Sequence, residues 1–197
     1  MEELVRCFVA IELNEEARSA LAALQARLKG ADRTAAQAVK WVAPQGIHLT
    51  LKFLGQVPRA RVQAIVDALR NACRGGDPFE LSLAGAGCFP SPQSPRVLWV
   101  GLEGDLERLA SLQQAVEGAL VKLGFPPEDR PFQPHLTLGR VRETAGKEER
   151  RRLGLAARAL PGMEGTKVPV AAVSLIRSHL RPEGAVYEKL AELPLQP

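Results

Sequence analysis

The hydrophobic positions of this chain follow two periods, one typical of strands and one typical of helices. Runs rich in β-branched and aromatic residues predict strands at 6–13, 47–54, 79–89, 96–101, 166–177 and 184–193, with a short apolar pair at 41–42. Apolar residues spaced three and four apart predict helices over 17–28, 62–73 and 106–123, with a basic helix over 147–160. Asn14 and Asp105 precede two of these helices and are typical N-cap residues. Helices and strands are therefore mixed along the whole chain.

The tetrapeptide HLTL occurs twice, beginning at residue 48 and again at residue 135. Each copy is predicted to lie in a strand that follows one helix and precedes another. We interpret this arrangement as a degenerate internal duplication. Mixed elements with several hairpins then predict an α+β fold, in which residues 1–197 form a single domain of two similar lobes.

Within each HLTL strand, successive side chains point to opposite faces of the sheet. His48 and Thr50 therefore share one face, and His135 and Thr137 share the corresponding face of the second copy. The intervening leucines point the other way, where they can enter a core. The chain has only three histidines, and two of them begin this tetrapeptide, which favours a functional explanation over strand composition alone.

Composition limits the expected cellular location and partners of the protein but does not identify its function. The chain has 197 residues, of which 46% are hydrophobic, and a net charge of +4. It has no apolar run long enough to span a bilayer, no signal-peptide pattern, and three cysteines without metal-type spacing. We therefore expect a cytoplasmic protein with no membrane partner, whose cysteines are buried thiols. The expected state is a monomer, although composition does not determine it.

Positive charge is concentrated after the second HLTL. Residues 130–158 contain eight Lys or Arg and three Asp or Glu, including Arg140 and the arginine run at 150–152. Such a cluster can attract a polyanion, for example a nucleic acid. It can also be a solvated helix face, because Glu148 and Glu149 are interleaved with it.

Paired histidines and threonines fit metal-free phosphodiester chemistry. No carboxylate or thiol lies beside either histidine at ligand spacing, and the G-x-S-x-G elbow, the Walker loop and the dinucleotide fingerprint are absent. We therefore expect neither a metal nor a cofactor. Across a cleft, one neutral imidazole can accept a proton from the nucleophile while the other, protonated, gives one to the leaving oxygen. Threonine hydroxyls can donate hydrogen bonds to the phosphate oxygens.

Three stretches together carry a family resemblance: R-x-F-V-A-I-E-L near the start, KWVAPQGIHLTLKFLGQV around the first motif, and PHLTLGR at the second. The chain resembles the two-histidine phosphoesterase superfamily and, within it, the RNA 2′,3′-cyclic phosphodiesterases, historically called 2′-5′ RNA ligases. The resemblance covers nearly the whole chain. It implies a bilobal fold with a pseudo-two-fold axis, in which two antiparallel sheets face each other across a central cleft and helices cover the outer faces.

The same resemblance implies a reaction and roles for the motif residues. The reaction is metal-free hydrolysis of a terminal 2′,3′-cyclic phosphate of RNA to a 2′-phosphate, with tRNA fragments and small cyclic nucleotides as further candidate substrates. His48 matches the proton donor, His135 the proton acceptor, and Thr50 and Thr137 the phosphate-binding threonines. Nothing in the sequence itself orders the two histidine roles.

The residues that follow each motif are assigned by strict alternation. Lys52 is expected on the His48 face at a solvated strand end, and Phe53 on the leucine side, in the core. Alternation also places Arg140 on the leucine side, although it matches a basic position that the family often carries after the second motif. Either the strand bulges at Gly139 and Arg140 binds phosphate, or Arg140 forms a structural ion pair.

Two further residues receive a structural interpretation. Trp41 is expected to pack in the core rather than stack on a base. His179 has no matching motif and is expected to be structural.

Two other functions use the same four motif residues. The reverse reaction would join a cyclic-phosphate end to a 5′-hydroxyl. A non-catalytic module would hold a terminal phosphate of RNA without turning it over, although binding alone does not need two proton-transfer groups.

Overall fold

The computed structural model describes residues 3–160, 163, 165–181 and 184–196. This part of the chain contains five α-helices and nine strands. The helices are α1 (Glu15–Ala31), α2 (Arg33–Gln37), α3 (Val62–Ala72), α4 (Leu106–Lys122) and α5 (Lys147–Arg158). The strands are β1 (Leu4–Glu12), β2 (Val39–Trp41), β3 (His48–Pro58), β4 (Phe79–Phe89), β5 (Val97–Gly104), β6 (His135–Val141), β7 (Lys167–Val170), β8 (Ala172–Arg181) and β9 (Gly184–Pro194). Helices packed on an antiparallel sheet confirm the predicted α+β class.

The strands of the described residues form one antiparallel sheet with the order β7-β4-β5-β6-β3-β1-β8-β9, and β2 pairs with β6. The two HLTL strands, β3 and β6, are neighbours at its centre, where Leu49 pairs with Leu136. Strand β1 lies beside β3, as β5 lies beside β6. The next strands outward are β8, which pairs with β1, and β4, which pairs with β5. The sheet therefore has a pseudo-two-fold axis through the central leucine pair.

The two facing sheets implied by the resemblance are two halves of this one curled sheet. Strand β7 is at one end of the strand order and β8 is next to the other end, yet only Ala171 separates them along the chain. Because one residue spans less than about 4 Å, the sheet has to curl to bring these strands together.

Two element predictions were wrong in detail. The sequence predicts a loop up to Val39, but Asp32 accepts a hydrogen bond from the Ala35 amide at 2.9 Å and begins the short helix α2. The predicted strand 166–177 is two strands, because β7 pairs with β4 whereas β8 pairs with β1. The turn RPEG predicted before β9 includes residues 182 and 183, which lie outside the described residues.

The helices cover one face of the sheet. The leucines of both HLTL motifs and the buried stripes of α1, α3 and α4 belong to one large apolar cluster. A smaller cluster on the opposite face consists of Phe8, Ala10 and Ile176, with Tyr187 packed against it. Burial of the motif leucines under the helices fixes the face that the intervening histidines and threonines take. None of the helices in the described ranges is long and apolar enough to cross a membrane.

Candidate active site

The structure brings the four motif residues, His48, Thr50, His135 and Thr137, onto one face at the centre of the sheet. All four are half-buried, whereas the leucines between them are buried. The central leucines pair in antiparallel register. His48 is therefore the cross-strand neighbour of Thr137, and Thr50 is the cross-strand neighbour of His135. The two motifs therefore form one site around the pseudo-two-fold axis.

Each imidazole is oriented by the backbone two residues before it. His48 Nδ1 lies 2.8 Å from the Gly46 carbonyl oxygen, and His135 Nδ1 lies 2.7 Å from the Gln133 carbonyl oxygen. A carbonyl oxygen can only accept, so Nδ1 carries the hydrogen and donates in both residues. This leaves Nε2 of each ring free to accept or give a proton.

Aromatic rings enclose His48. The Phe8 ring stacks on it with centroids 4.5 Å apart, and the Tyr187 ring meets it edge-on at 5.1 Å. Burial lowers the pKa of His48 to about 4, although the Gly46 carbonyl and the Glu12 carboxylate both act to raise it. The His48 ring is therefore neutral at neutral pH.

Glu12 is the cross-strand partner of His48. Its carboxylate accepts a hydrogen bond from Ser174 Oγ at 2.8 Å and pairs with Lys189 Nζ at 2.6 Å. Burial favours the neutral acid, but these two contacts nevertheless lower the pKa of Glu12. A fixed negative charge thus stands beside the enclosed histidine.

Within the described residues, no group of three or more His, Cys, Asp or Glu lies close enough together to hold a metal ion.

The alternation of side chains between the two faces of β3 ends with the first motif. The predicted positions of Lys52 and Phe53 are therefore both wrong. Ala10 of β1 pairs with Thr50 and the next residue, Val9, pairs with Lys52, so Leu51 is an extra residue that forms a bulge. The bulge turns Lys52 to the helix side, where it is only 6% exposed. It turns Phe53 onto the histidine face, where its ring is 62% exposed.

The buried Lys52 ties β3 to α4 and to the loop that precedes the second motif. Its ammonium lies 2.6 Å from Glu117 Oε1 and donates to the Pro126 carbonyl at 2.8 Å. Glu117 Oε1 also accepts the Glu128 amide at 3.0 Å. Lys52 is therefore a structural residue beneath the site rather than part of the histidine face.

The second motif has a bulge at the corresponding place. Trp99 of β5 pairs with Thr137 whereas Leu98 pairs with Gly139, so Leu138 is the extra residue. The bulge lies one residue before the predicted position, and it turns Arg140 onto the histidine face, where it is exposed.

Arg140 and Phe53 thus occupy equivalent positions about the axis. Arg140, together with Arg6, acts to lower the pKa of the Tyr187 hydroxyl, which burial raises. Arg140 therefore lies close to the aromatic enclosure of His48.

The arginine run of the basic cluster is engaged in structural contacts. Arg150 donates to four backbone carbonyls, those of Pro95, Arg142, Glu143 and Ala145. Arg151 pairs with Glu148 at 2.8 Å, and Arg152 pairs with Asp32 at 3.2 Å. The explanation as a solvated helix face fits Arg151, which pairs with the interleaved Glu148, whereas Arg150 and Arg152 are held by backbone carbonyls and by Asp32.

Trp41 and His179 also have structural contacts. Trp41 packs against the large core, and its indole Nε1 donates to the Ala36 carbonyl at 3.1 Å. His179 Nε2 lies 2.9 Å from a Glu188 carboxylate oxygen on β9.

Sequence reasoning missed the aromatic rings around the histidines. Besides Phe8 and Tyr187 at His48, the Phe89 ring contacts the edge of His135 at 5.1 Å. Alternation within β1 could have placed Phe8 and Glu12 on one face, but not beside His48, because that step requires the pairing of β1 with β3. Tyr187 is the only tyrosine of the chain, and nothing in its sequence surroundings connects it with either motif.

Comparison with known proteins agrees with this geometry. The LigT-like phosphoesterase family model matches the chain twice, over residues 11–99 and 100–187. A Methanothermobacter thermautotrophicus protein named RNA 2′,3′-cyclic phosphodiesterase is 42% identical over 183 residues, which are 93% of this chain and 95% of that protein. An Archaeoglobus fulgidus protein of the same name is 34% identical over 188 residues, which are 94% of this chain and 98% of that protein.

Solved structures share the fold over nearly the whole chain. The Thermus thermophilus protein TT0787 superposes with a TM-score of 0.78 at 30% identity, covering 96% of this chain and 97% of that one. E. coli LigT in complex with 3′-AMP superposes with a TM-score of 0.76 at 26% identity, covering 98% of this chain and 99% of that one. The two family-model matches each contain one HLTL motif, and the relatives match along almost their full length. The chain therefore belongs to the LigT-like phosphoesterase family.

Proposed function

We propose that this protein hydrolyses the terminal 2′,3′-cyclic phosphate of RNA to a 2′-phosphate, without a metal, using His48 and His135 for proton transfer and Thr50 and Thr137 for phosphate binding. The observation that carries the proposal is the pair of imidazoles, each with Nδ1 held by a backbone carbonyl and Nε2 free, flanked by hydroxyls on one face of the sheet. The names of the relatives from two archaea support the substrate class.

The reaction needs two proton transfers and one displacement at phosphorus. One imidazole accepts a proton from water at Nε2 as the water oxygen attacks the phosphorus. The bond from phosphorus to the 3′-oxygen breaks, and the other imidazole donates its Nε2 proton to that oxygen. The 2′-oxygen keeps the phosphate, so the product carries a 2′-phosphate and a free 3′-hydroxyl. Threonine hydroxyls donate hydrogen bonds to the non-bridging oxygens, where negative charge increases in the transition state.

We assign His48 as the proton donor and His135 as the acceptor, as the family resemblance implies. Burial keeps the His48 ring neutral at neutral pH, so it has to gain a proton when the anionic phosphate binds beside it. A nearby negative charge favours the imidazolium. Glu12, already beside His48, supports the same protonated state.

Arg140 is proposed as an additional phosphate contact. It is exposed on the histidine face, and the salt bridges of the described residues do not include it. A guanidinium in this position can donate two hydrogen bonds to one phosphate.

The primary test is an assay of the purified protein on RNA ending in a 2′,3′-cyclic phosphate, in the presence of a chelator. We expect a 2′-phosphate product, and a loss of about 10²–10⁴-fold in kcat for His48→Ala and for His135→Ala. His179→Ala, remote in the sequence from both motifs, is the control and should keep full activity. Wild-type rates in either motif variant would contradict the proposal. Joined product from a 5′-hydroxyl RNA would identify ligation, and tight binding without product would identify a binding module.

The donor assignment has its own test. A substrate with sulfur in place of the 3′-bridging oxygen has a leaving thiolate that needs no proton. His48→Ala should recover most of its lost activity on this substrate, and His135→Ala should not. The opposite pattern would exchange the two roles.

We further propose that the protein acts as a cytoplasmic monomer and that its whole length forms one domain of two intertwined lobes. The four motif residues all come from one chain, and strands from both repeats are shared in one sheet. The three cysteines are free and buried thiols, which fits a reducing compartment. Sedimentation of the active protein should give the mass of a single chain.

A further inference from the structure

Two glutamines are buried inside the core at equivalent positions of the two repeats. Gln25 lies on α1 and is 2% exposed, and Gln113 lies on α4 and is 8% exposed. Both helices have 17 residues, and each precedes an HLTL strand. A primary amide buried without hydrogen-bond partners is destabilising, so the partners of these side chains indicate what they do.

The partners are the bulged leucines of the two motifs. Gln25 Nε2 donates to the Leu138 carbonyl at 2.9 Å and to the Val42 carbonyl at 2.8 Å. Gln113 Nε2 lies 3.5 Å from the Leu51 carbonyl, at the outer limit of a hydrogen bond. The Leu138 carbonyl also accepts the Val42 amide at 2.9 Å, so Gln25 supplies a second donor to the bulged residue and links it to the residue that follows β2.

These contacts cross between the repeats. Gln25, in the first family-model match, holds the bulge of the second motif, and Gln113, in the second match, holds the bulge of the first. Each helix thereby positions the motif strand of the other repeat, as the pseudo-two-fold axis requires.

The bulges decide which residues share the histidine face of the sheet. Without the extra residue at Leu138, strict alternation would return Arg140 to the leucine side, as the sequence alone predicts. Without the extra residue at Leu51, Phe53 would point into the core and Lys52 would point to the histidine face. Holding each bulged carbonyl therefore preserves the surface that surrounds the imidazoles.

We propose that Gln25 and Gln113 are positioning residues for the phosphodiesterase reaction, and that each fixes, through a bulged carbonyl, the motif of the opposite repeat. This inference rests on the proposed function for its activity readout. The two contacts are unequal: Gln25 makes two short bonds, whereas Gln113 makes one long bond at a bulge that the buried Lys52 also anchors. Gln25 therefore has the larger effect.

The test replaces each glutamine by leucine, which keeps the bulk and removes the donor. Gln25→Leu should lower kcat on cyclic-phosphate RNA by about tenfold or more with little change in KM, since small displacements of reacting groups have large effects on rate. Gln113→Leu should lower kcat by only about two- to threefold, given the weaker contact. The matched control is Leu21→Ala, which removes a fully buried side chain of the same helix α1 and should reduce stability while leaving kcat unchanged.

The conservative variant Gln25→Glu adds a measurement that distinguishes a positioning role from a purely structural one. In Gln25→Glu the side chain regains a donor only when the carboxyl is protonated. Its activity relative to wild type should therefore increase as the pH falls, whereas the activity of Gln25→Leu relative to wild type should stay constant.

Backbone amide NMR shifts of Thr137, Gly139 and Arg140 report the bulge independently of catalysis. We expect them to change in Gln25→Leu and to stay unchanged in Leu21→Ala. Wild-type shifts and wild-type kcat in Gln25→Leu, or an equal loss of kcat in Leu21→Ala, would overturn the positioning role. If Gln25→Leu does not fold, unchanged shifts of Lys52 and Phe53 and unchanged kcat in Gln113→Leu would overturn it. An inactive wild-type protein would refute the proposed function instead, and the shifts would still test the contact.

Discussion

His48 makes the stability of the folded protein depend on pH. Its pKa is about 4 in the folded state and about 6.5 in an unfolded chain, so between these values the unfolded state binds a proton that the folded state does not. The stability contribution is fully present above pH 6.5 and is lost as the pH falls towards 4.

We expect the free energy of unfolding of wild type to fall between pH 7 and pH 4.5 by about 2 kcal/mol more than that of His48→Gln. Urea unfolding at both pH values measures this, with Leu155→Ala, which changes an exposed side chain that does not titrate, as a control that keeps the wild-type pH dependence. An identical pH dependence in His48→Gln would show that the ring is not held neutral.

Phe53 offers a second test at the level of a single residue. Its ring is 62% exposed on the histidine face, and its centroid lies 6.0 Å from that of Phe8. Phe53→Ala should therefore cost about 1 kcal/mol or less in stability and raise the KM for RNA several-fold, since an exposed ring beside the site can stack on a base. Leu51→Ala, which truncates the neighbouring buried side chain, should cost about 2–5 kcal/mol. Equal stability losses in the two variants would place Phe53 in the core after all.

At the level of elements, sequence alternation was reliable up to each bulge and failed beyond it. It placed His48, Thr50, His135 and Thr137 on one face because the leucines between them alternate strictly into the core. It could not place Phe53, because the bulge depends on hydrogen bonds from distant helices and on the neighbouring strand. For the same reason the pairing of β8 with β1, which brings Tyr187 of the adjacent β9 to His48, has no signal in the local sequence.

The pair Lys52–Glu117 joins three elements beneath the site. Its side chains are 4% and 20% exposed, and removing one partner leaves the other charge buried. We expect Lys52→Met to lower the free energy of unfolding by about 3–5 kcal/mol, and the double variant Lys52→Met/Glu117→Met to recover most of that loss. The matched control is Arg70→Met, because the Arg70–Asp67 pair on α3 is half exposed and its loss should cost less than about 1 kcal/mol. A double variant as unstable as the single one in urea unfolding would contradict this.

At the scale of the whole molecule, the two sequence repeats do not coincide with the two halves of the sheet. Strand β4 comes from the first repeat but pairs with β5 of the second, and β8 comes from the second repeat but pairs with β1 of the first. Each half of the sheet is therefore completed by a strand from the other repeat.

This exchange predicts how the chain behaves when it is cut. A break between the exposed residues Gln93 and Ser94, in the loop that joins β4 to β5, should give two fragments that do not fold separately, because each lacks the partner of one of its strands. Produced together, they should assemble and regain phosphodiesterase activity. Circular dichroism of the single and mixed fragments measures this, with the uncut chain as reference. A separately folded fragment 1–93 would show that the repeats are independent.

The equivalence of Phe53 and Arg140 has a consequence for the history of such a site. Two separate copies of one repeat could exchange strands and build the same sheet, but a symmetric dimer must carry the same residue at both positions. A ribonucleotide end has no such symmetry, since it offers a base on one side and a charged phosphate on the other. Joining the repeats in one chain frees the two positions to diverge, so that one becomes aromatic and the other cationic. Fusion thus lets a twofold scaffold bind a one-sided substrate.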